Sequence, residues 1–426
     1  MEKIISIAVA ILAYILIIIF SSKKSYISIL FALLLILLKI LTLKEVIYNY
    51  INWNVLLIYI STLILAELFI YSKMPSYLAD RMVKRAGSSA LAMLYICILT
   101  GFISAFVENV ATVLVIAPIA FEICKRLKIS PVNLLIAIAI SSNLQGTATL
   151  VGDPPSMIFA AFLKLNFNDF FIYKSKPSIF FAVQIGAISS FFFLYFLFKN
   201  LRKKIKITKK EKIISFVPTY LLILMIISLA FISFFDKGFT IKNGIACAII
   251  AIIGILWFII FEKKDKKELI EIGKKLDYDT IIFLIGIFII MGAISKTGVL
   301  IDFANFIKSI IGNNPIIAYI TIIFFSVIIS GFVDNVPFII VMLPVVDKIG
   351  KDMGINPELL MFGMLIGTCL GGNITPFGAS ANIVSVGLLK RKNYKVDFLE
   401  FVKIGLPFTL IATSISGLFV WLIWSR

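Results

Sequence analysis

Ile4–Phe20 runs for seventeen residues without a charge, and Ile27–Leu38 for another twelve. A chain built from such runs has few folds open to it. A bilayer core holds no water to satisfy backbone N–H and C=O groups, so only helices and closed barrels cross it. Barrel strands alternate apolar and polar residues at every second position, and these runs do not alternate. A spanning helix needs about 20 mostly apolar residues, and a hydrophobic fraction of 61% supplies many such stretches. The chain reads as an all-α polytopic membrane protein.

The formal net charge of +18 would point to nucleic acid in a soluble chain. Here the bases gather between apolar runs, where they orient spans and meet anionic lipid. No nucleic-acid partner is expected. The sequence has no histidine, and its four cysteines form no CxxC pair, so neither a disulfide framework nor a zinc site is indicated. No cofactor is expected and no enzyme chemistry is recognisable. Ile4–Phe20 is followed by Ser21, Ser22, Lys23 and Lys24 rather than a small-residue cleavage site, and reads as a true span. A second span is expected at Ile27–Leu43, with Lys39 snorkelling to the interface, and a third from about Trp53 to Tyr71.

Inside this apolar sequence one polar pattern occurs twice. Residues Ser104–Ile158 align without a gap on Ser330–Val384, and 17 of the 55 positions are identical. Each copy opens with two apolar pieces separated by a carboxylate and an asparagine, Glu108-Asn109 and Asp334-Asn335. Each reads as a helical hairpin with a polar tip, its arms short for a full crossing. Each copy closes with an apolar helix interrupted by glycines and polar residues, a discontinuous helix. Residues 1–205 form one repeat (hairpin about 89–127, broken helix about 131–165). Residues 206–426 form the other (hairpin about 315–350, broken helix about 357–389). The basic segment Leu201–Lys212 is expected to link them. Each repeat has about five crossings plus its hairpin, an odd number, so the two are expected to be inverted, as in many secondary transporters. Alternating loop assignment places 28 of the 41 Lys/Arg residues, Lys23 and Lys24 among them, on one side. The positive-inside rule makes that side cytoplasmic and both termini extracytoplasmic.

An ionisable group within a span is costly and marks a functional site. Unwound backbone and neutral oxygens suit Na⁺, a carboxylate takes Na⁺ or a proton, and half-helix N-termini suit anions. The candidate ion- and substrate-binding residues are Glu108, Asn109, Asn143, Gly146, Thr147, Thr149, Asp153, Asp334, Asn335, Gly372, Asn373, Thr375, Ser380 and Asn382. Any Na⁺ would sit at these same residues. Asp153 has no charged counterpart, because Ala379 occupies the matching position.

SAFVENVATVLVIAPI with NLQGTATLVGDPPSMI, and GFVDNVPFIIVMLPV with LGGNITPFGASANIV, resemble the ion transporter superfamily. The similarity is to its branch of arsenical pumps, citrate transporters and P-protein relatives, and more distantly to Na⁺/H⁺ antiporters and divalent-anion/sodium symporters. The resemblance implies a scaffold, a moving transport domain, an elevator-like motion and often a homodimer. In the symporters a Ser-Asn-Thr sequence occupies each hairpin tip. Here Asn109 and Asn335 carry over, while carboxylates precede them and valines follow. The expected function is ion-coupled secondary transport, by H⁺ or Na⁺, of a small inorganic or organic anion of arsenite, citrate or dicarboxylate type across the plasma membrane. The alternatives are Na⁺/H⁺ antiport and, further off, an ion channel.

Overall fold

Helix ends in this protein fall where side-chain caps and left-handed backbone place them. In the computed structural model, which describes residues 2–20, 23–201, 212–236, 238–262 and 266–425, Asn52 accepts the Val55 amide at 3.0 Å to start one helix. Ser88 accepts the Leu91 amide at 3.3 Å to start another. Lys128 and Lys164 end two more with φ of 55° and 56°. The inter-repeat linker expected at Leu201–Lys212 lies, apart from its two ends, outside the described residues.

The first ten helices are α1 (Glu2–Ile19), α2 (Lys24–Leu37), α3 (Leu43–Glu45), α4 (Trp53–Tyr71), α5 (Met74–Arg85), α6 (Ser89–Ser104), α7 (Asn109–Leu127), α8 (Val132–Gly146), α9 (Pro154–Leu163) and α10 (Ile179–Phe198). The next ten are α11 (Val217–Phe235), α12 (Ile241–Ile260), α13 (Lys266–Lys275), α14 (Tyr278–Lys296), α15 (Val299–Ile311), α16 (Pro315–Ser330), α17 (Asn335–Asp352), α18 (Pro357–Gly371), α19 (Ser380–Arg391) and α20 (Phe398–Trp424). A two-residue antiparallel pairing of Ile172–Tyr173 with Lys176–Pro177 is the only sheet among the described residues. Among the described residues, eight helices are long and apolar enough to cross a membrane. α15 and α16 are bent by 116° at the break between them. Exposed Phe192, Phe231, Ile252, Phe324 and Leu418 give the outer surface the apolar character a bilayer demands.

Two expectations need correction. The second span does not continue to Leu43. α2 ends at Leu37, and Lys39 takes a left-handed turn with φ of 58°. A new turn then starts at Thr42, which trades hydrogen bonds with Glu45 in a capping box. Lys39 is thus an exposed turn residue rather than a snorkelling helix residue. The second arm of each hairpin is also longer than expected, α7 with 19 residues and α17 with 18, while the first arms α6 and α16 keep to 16 each. At 1.5 Å per residue the second arms reach roughly 27–29 Å, near the thickness of the hydrocarbon core.

The halves interleave. α2 packs along α14, α12 along α4, and α10 along α20, so each of these contacts joins the first ten helices to the last ten. Within the second ten, α16 lies against α18 along Gly363, Gly367 and Gly371, spaced four apart on one helix face. A Cβ at Gly367 would stand 2.8 Å from the Ile323 carbonyl oxygen, and one at Gly371 would stand 2.5 Å from that of Val327. The neighbouring atoms are backbone and cannot swing aside. Small residues at such spacing let membrane helices approach closely. Gly367→Leu should therefore cost at least the ~1–3 kcal/mol typical of overpacking. The readout is the melting temperature in detergent; an unchanged value would show that α16 and α18 are not held this close.

Candidate functional site

The repeated motifs set their polar residues at helix starts. α6 and α7 meet at residues 105–108, and α16 and α17 at 331–334. α8 stops at Gly146 and the chain resumes as α9 at Pro154. α18 stops at Gly371, passes through a 3₁₀ turn at Gly372–Ile374 and resumes as α19 at Ser380. The starts of α7, α9, α14, α17 and α19 converge on one cavity of about 60 Å³.

Four of these five starts are capped by carboxylates. Glu108 Oε2 accepts the Ala111 amide at 2.9 Å, and Asp153 Oδ1 accepts that of Ser156 at 2.9 Å. Asp277 Oδ1 accepts the Thr280 amide at 3.0 Å, and Asp334 Oδ1 that of Val336 at 3.1 Å. The fifth start, at Ala379, has no side-chain cap. Burying carboxylates together is expensive. Placing each at a helix N-terminus, with its free amides and positive dipole end, offsets part of that cost. Glu108 and Asp153 are 8% and 4% exposed, whereas Asp277 and Asp334 are half-buried. The first-repeat carboxylates are therefore the more deeply buried pair.

One cation faces them. Lys24, at the start of α2, donates to Asp334 Oδ2 at 2.8 Å and lines the same cavity. Tyr59 of α4 donates to Asp277 Oδ2 at 3.4 Å. An adjoining cavity of about 200 Å³ shares Lys24, Asp334, Ala379 and Ser380, and is otherwise walled by apolar side chains such as Phe332, Phe377 and Ile383. Among the described residues, no three acidic, cysteine or histidine side chains come together as a metal-holding cluster.

A chain of amides joins the two motifs behind this cavity. Ser104 Oγ donates to Asn109 Oδ1 at 2.6 Å, and Asn109 Nδ2 donates to Asn143 Oδ1 at 3.4 Å. Asn143 Nδ2 donates to Asn373 Oδ1 at 2.8 Å and Asn382 Oδ1 at 3.0 Å. Asn382 Nδ2 in turn donates to the carbonyls of Gly372 and Thr375, both at 2.9 Å. At the second tip Ser330 Oγ donates to Asn335 Oδ1, matching the first. Thr149 donates to the Ala105 carbonyl and Thr375 to that of Gly331, so each broken helix is tied to its own hairpin. Gly146 is required by proximity, since a Cβ there would lie 2.3 Å from Asn109 Oδ1.

Of the residues singled out in the sequence, Glu108, Asn109, Asn143, Asp153, Asp334, Asn335 and Ser380 line the cavity. Gly146, Thr147, Thr149, Gly372, Asn373, Thr375 and Asn382 do not line it; they bond to or pack against the broken helices and hairpin tips. Lys24, Tyr59, Asp277 and Thr280 line the cavity without having been singled out as site residues. For Asp277 a signal existed. DYDTIIF echoes NWNVLLI at Asn52–Ile58, and Asn52 and Asp277 each cap their helix. Lys24, expected between spans as a charge that sets topology, sits at the start of α2 and is ion-paired, its side chain 12% exposed.

Known proteins give this geometry its context. A 46 kDa membrane protein of Mycobacterium leprae is 28% identical over 368 residues, covering 85% of this chain and 84% of its own. The human P protein is 25% identical over 433 residues, covering 83% of this chain and 51% of that protein. The solved YdaH transporter of Alcanivorax borkumensis superposes with a TM-score of 0.59 over 89% of this chain and 87% of that one. At 14% identity that likeness speaks for the fold alone. The family described as citrate transporter matches residues 14–367 and 239–426, a span that takes in every element of the cavity, and the chain belongs to that family of membrane transporters.

Proposed function

We propose that this protein is a secondary transporter coupled to H⁺ or Na⁺, with the coupling cation carried by the buried carboxylates. The observation that supports this reading is the cavity's charge. Glu108, Asp153, Asp277 and Asp334 face a single lysine, Lys24. Such a lining attracts cations and repels free polyanions, because interactions between charges strengthen as water is excluded. On the scale where a water needs about 10–15 Å³, a cavity of about 60 Å³ takes a partly hydrated monovalent ion. Movement of the hairpin tips and broken helices past α4 and α14 would carry the bound ion between the two faces, an elevator-like alternation. Among substrates, the acidic lining favours cation exchange of the Na⁺/H⁺ kind.

A second reading, symport of a small organic anion such as citrate, draws on the family and on the 200 Å³ cavity beside Lys24. The plasma membrane, extracytoplasmic termini and a homodimer complete the proposal, on the strength of the charge distribution and the resemblance. Purified protein in proteoliposomes tests it. Flux driven by an imposed Na⁺ or pH gradient is expected. Citrate-independent Na⁺/H⁺ exchange selects the first substrate reading, and citrate-dependent flux the second. Passive current without coupling would point to a channel and overturn the proposal.

A further inference from the structure

The two repeats carry unequal charge at equivalent places. The first offers two carboxylates, Glu108 and Asp153, with no lysine between them. In the second, Ala379 stands where the first has Asp153, Asp277 stands where the first has Asn52, and Asp334 is ion-paired to Lys24 at 2.8 Å. Lys24 also sits 5.0 Å from the centre of the Phe283 ring of α14. Its neighbour Ser25 donates to Asp279 on the same helix. Lysine, ring and carboxylate are thus held together by α2, α14 and the tip of α17.

The corresponding contact in the other half lacks the cation. On α12 the Gly244 amide donates at 2.7 Å to Asn54 of α4, the residue that matches Asp279 in the NWN and DYD triplets. The residue before Gly244, in the place Lys24 holds before Ser25, is Asn243. It is 1% exposed, and neither polar atom of its side chain has a partner among the described residues. The cation is therefore confined to one half of the site.

We propose that Lys24 is a tethered counter-cation that occupies the second hairpin tip at Asp334, so that of the two equivalent tip carboxylates only Glu108, beside Asp153, takes the exchangeable cation. This rests on the cation-coupled reading above. The groups facing Lys24 are Asp334 in contact, with Asp277 and Asp279 on the adjoining start of α14. A lysine in this position lets the second tip hold its carboxylate in the membrane without recruiting an ion from solution. It takes Asp334 out of the set of carboxylates open to the coupling cation.

The test measures cations moved per transport cycle, from reversal potentials in proteoliposomes. Wild-type flux that follows an imposed cation gradient shows that the underlying reading stands, and its absence fails that reading rather than this one. Given coupled wild-type flux, Lys24→Asn, which copies the other half, and Lys24→Met are each expected to raise the count by one cation. In Lys24→Met/Asp334→Asn, which removes both charges, the count should return to the wild-type value, whatever the rate. The double variant also serves if the single ones fold poorly. An unchanged count in both folded single variants would overturn the proposal. So would loss of cation coupling in a folded double variant.

Discussion

Glu108→Gln should lower cation-coupled flux on the order of 100- to 1,000-fold while leaving the protein folded. The size follows from the charge. Two unit charges 4 Å apart interact by about 4 kcal/mol at an effective dielectric of 20, and each 1.4 kcal/mol is tenfold in affinity. Glu108 is 8% exposed and lines the cavity on the half that has no lysine. Its second duty is structural, since its Oε2 caps α7 by accepting the Ala111 amide at 2.9 Å. Glutamine keeps an acceptor oxygen at the same reach, so the cap survives. The change in stability should stay near or below the ~1 kcal/mol that a lost cap typically costs. Flux in proteoliposomes under an imposed Na⁺ or pH gradient and melting in detergent separate the two duties. Coupled flux at wild-type level in a folded Glu108→Gln protein would show that this carboxylate does not carry the cation. A matching loss of melting temperature and flux would mean that the cap was its main contribution.

Much of this site was legible in the sequence because polar residues inside apolar runs are rare and costly. Glu108, Asp153 and Asp334 stand out on that ground alone, and all three line the cavity. The same rule could not separate a group that faces the cavity from one that serves the backbone. Thr149 and Thr375 are as conspicuous in sequence as Asn109 and Asn335, yet they tie down loop carbonyls instead. A broken helix frees its own N–H and C=O groups, and those must be satisfied before any ligand is. Lys24 was hidden by the opposite logic. A basic residue beside a turn reads as a topology signal, and only the packing of α2 along α14 brings it to Asp334. Tyr59 was invisible for a third reason: an aromatic side chain in a span is ordinary, and its hydroxyl acquires meaning only beside Asp277. The end of α2 is masked in the sequence because apolar residues continue past Leu37, whereas the left-handed Lys39 stops the helix.

Asn143→Asp should be the most damaging single-atom exchange in the cavity wall. The hydrogen bonds around this amide run in one fixed direction. Asn382 Nδ2 donates to two backbone carbonyls, those of Gly372 and Thr375, and so cannot turn over. Its Oδ1 must then face Asn143, which fixes the Asn143 amide with Nδ2 toward Asn382 and Asn373 and Oδ1 toward Asn109. Aspartate puts an acceptor oxygen where a donor is needed, against two acceptor oxygens, at a residue 3% exposed. An unsatisfied buried polar group costs about 1–3 kcal/mol, more when charged, and the Asn373 and Asn382 oxygens both lose their donor. A loss of about 3–5 kcal/mol follows unless the aspartate is protonated and donates one hydrogen bond. The variant should therefore melt lower in detergent than wild type, by less in acid than at neutral pH, because protonation restores one donor. Asn143→Ala, which removes the donor without adding a charge, should fall between the two and show no such pH dependence. If Asn143→Asp melted like wild type at neutral pH, the amide chain would not be what holds the two broken helices together. The cavity would then have to be positioned by backbone contacts alone, among them Gly152 packed on Gly146 and Gly378 packed on Gly372.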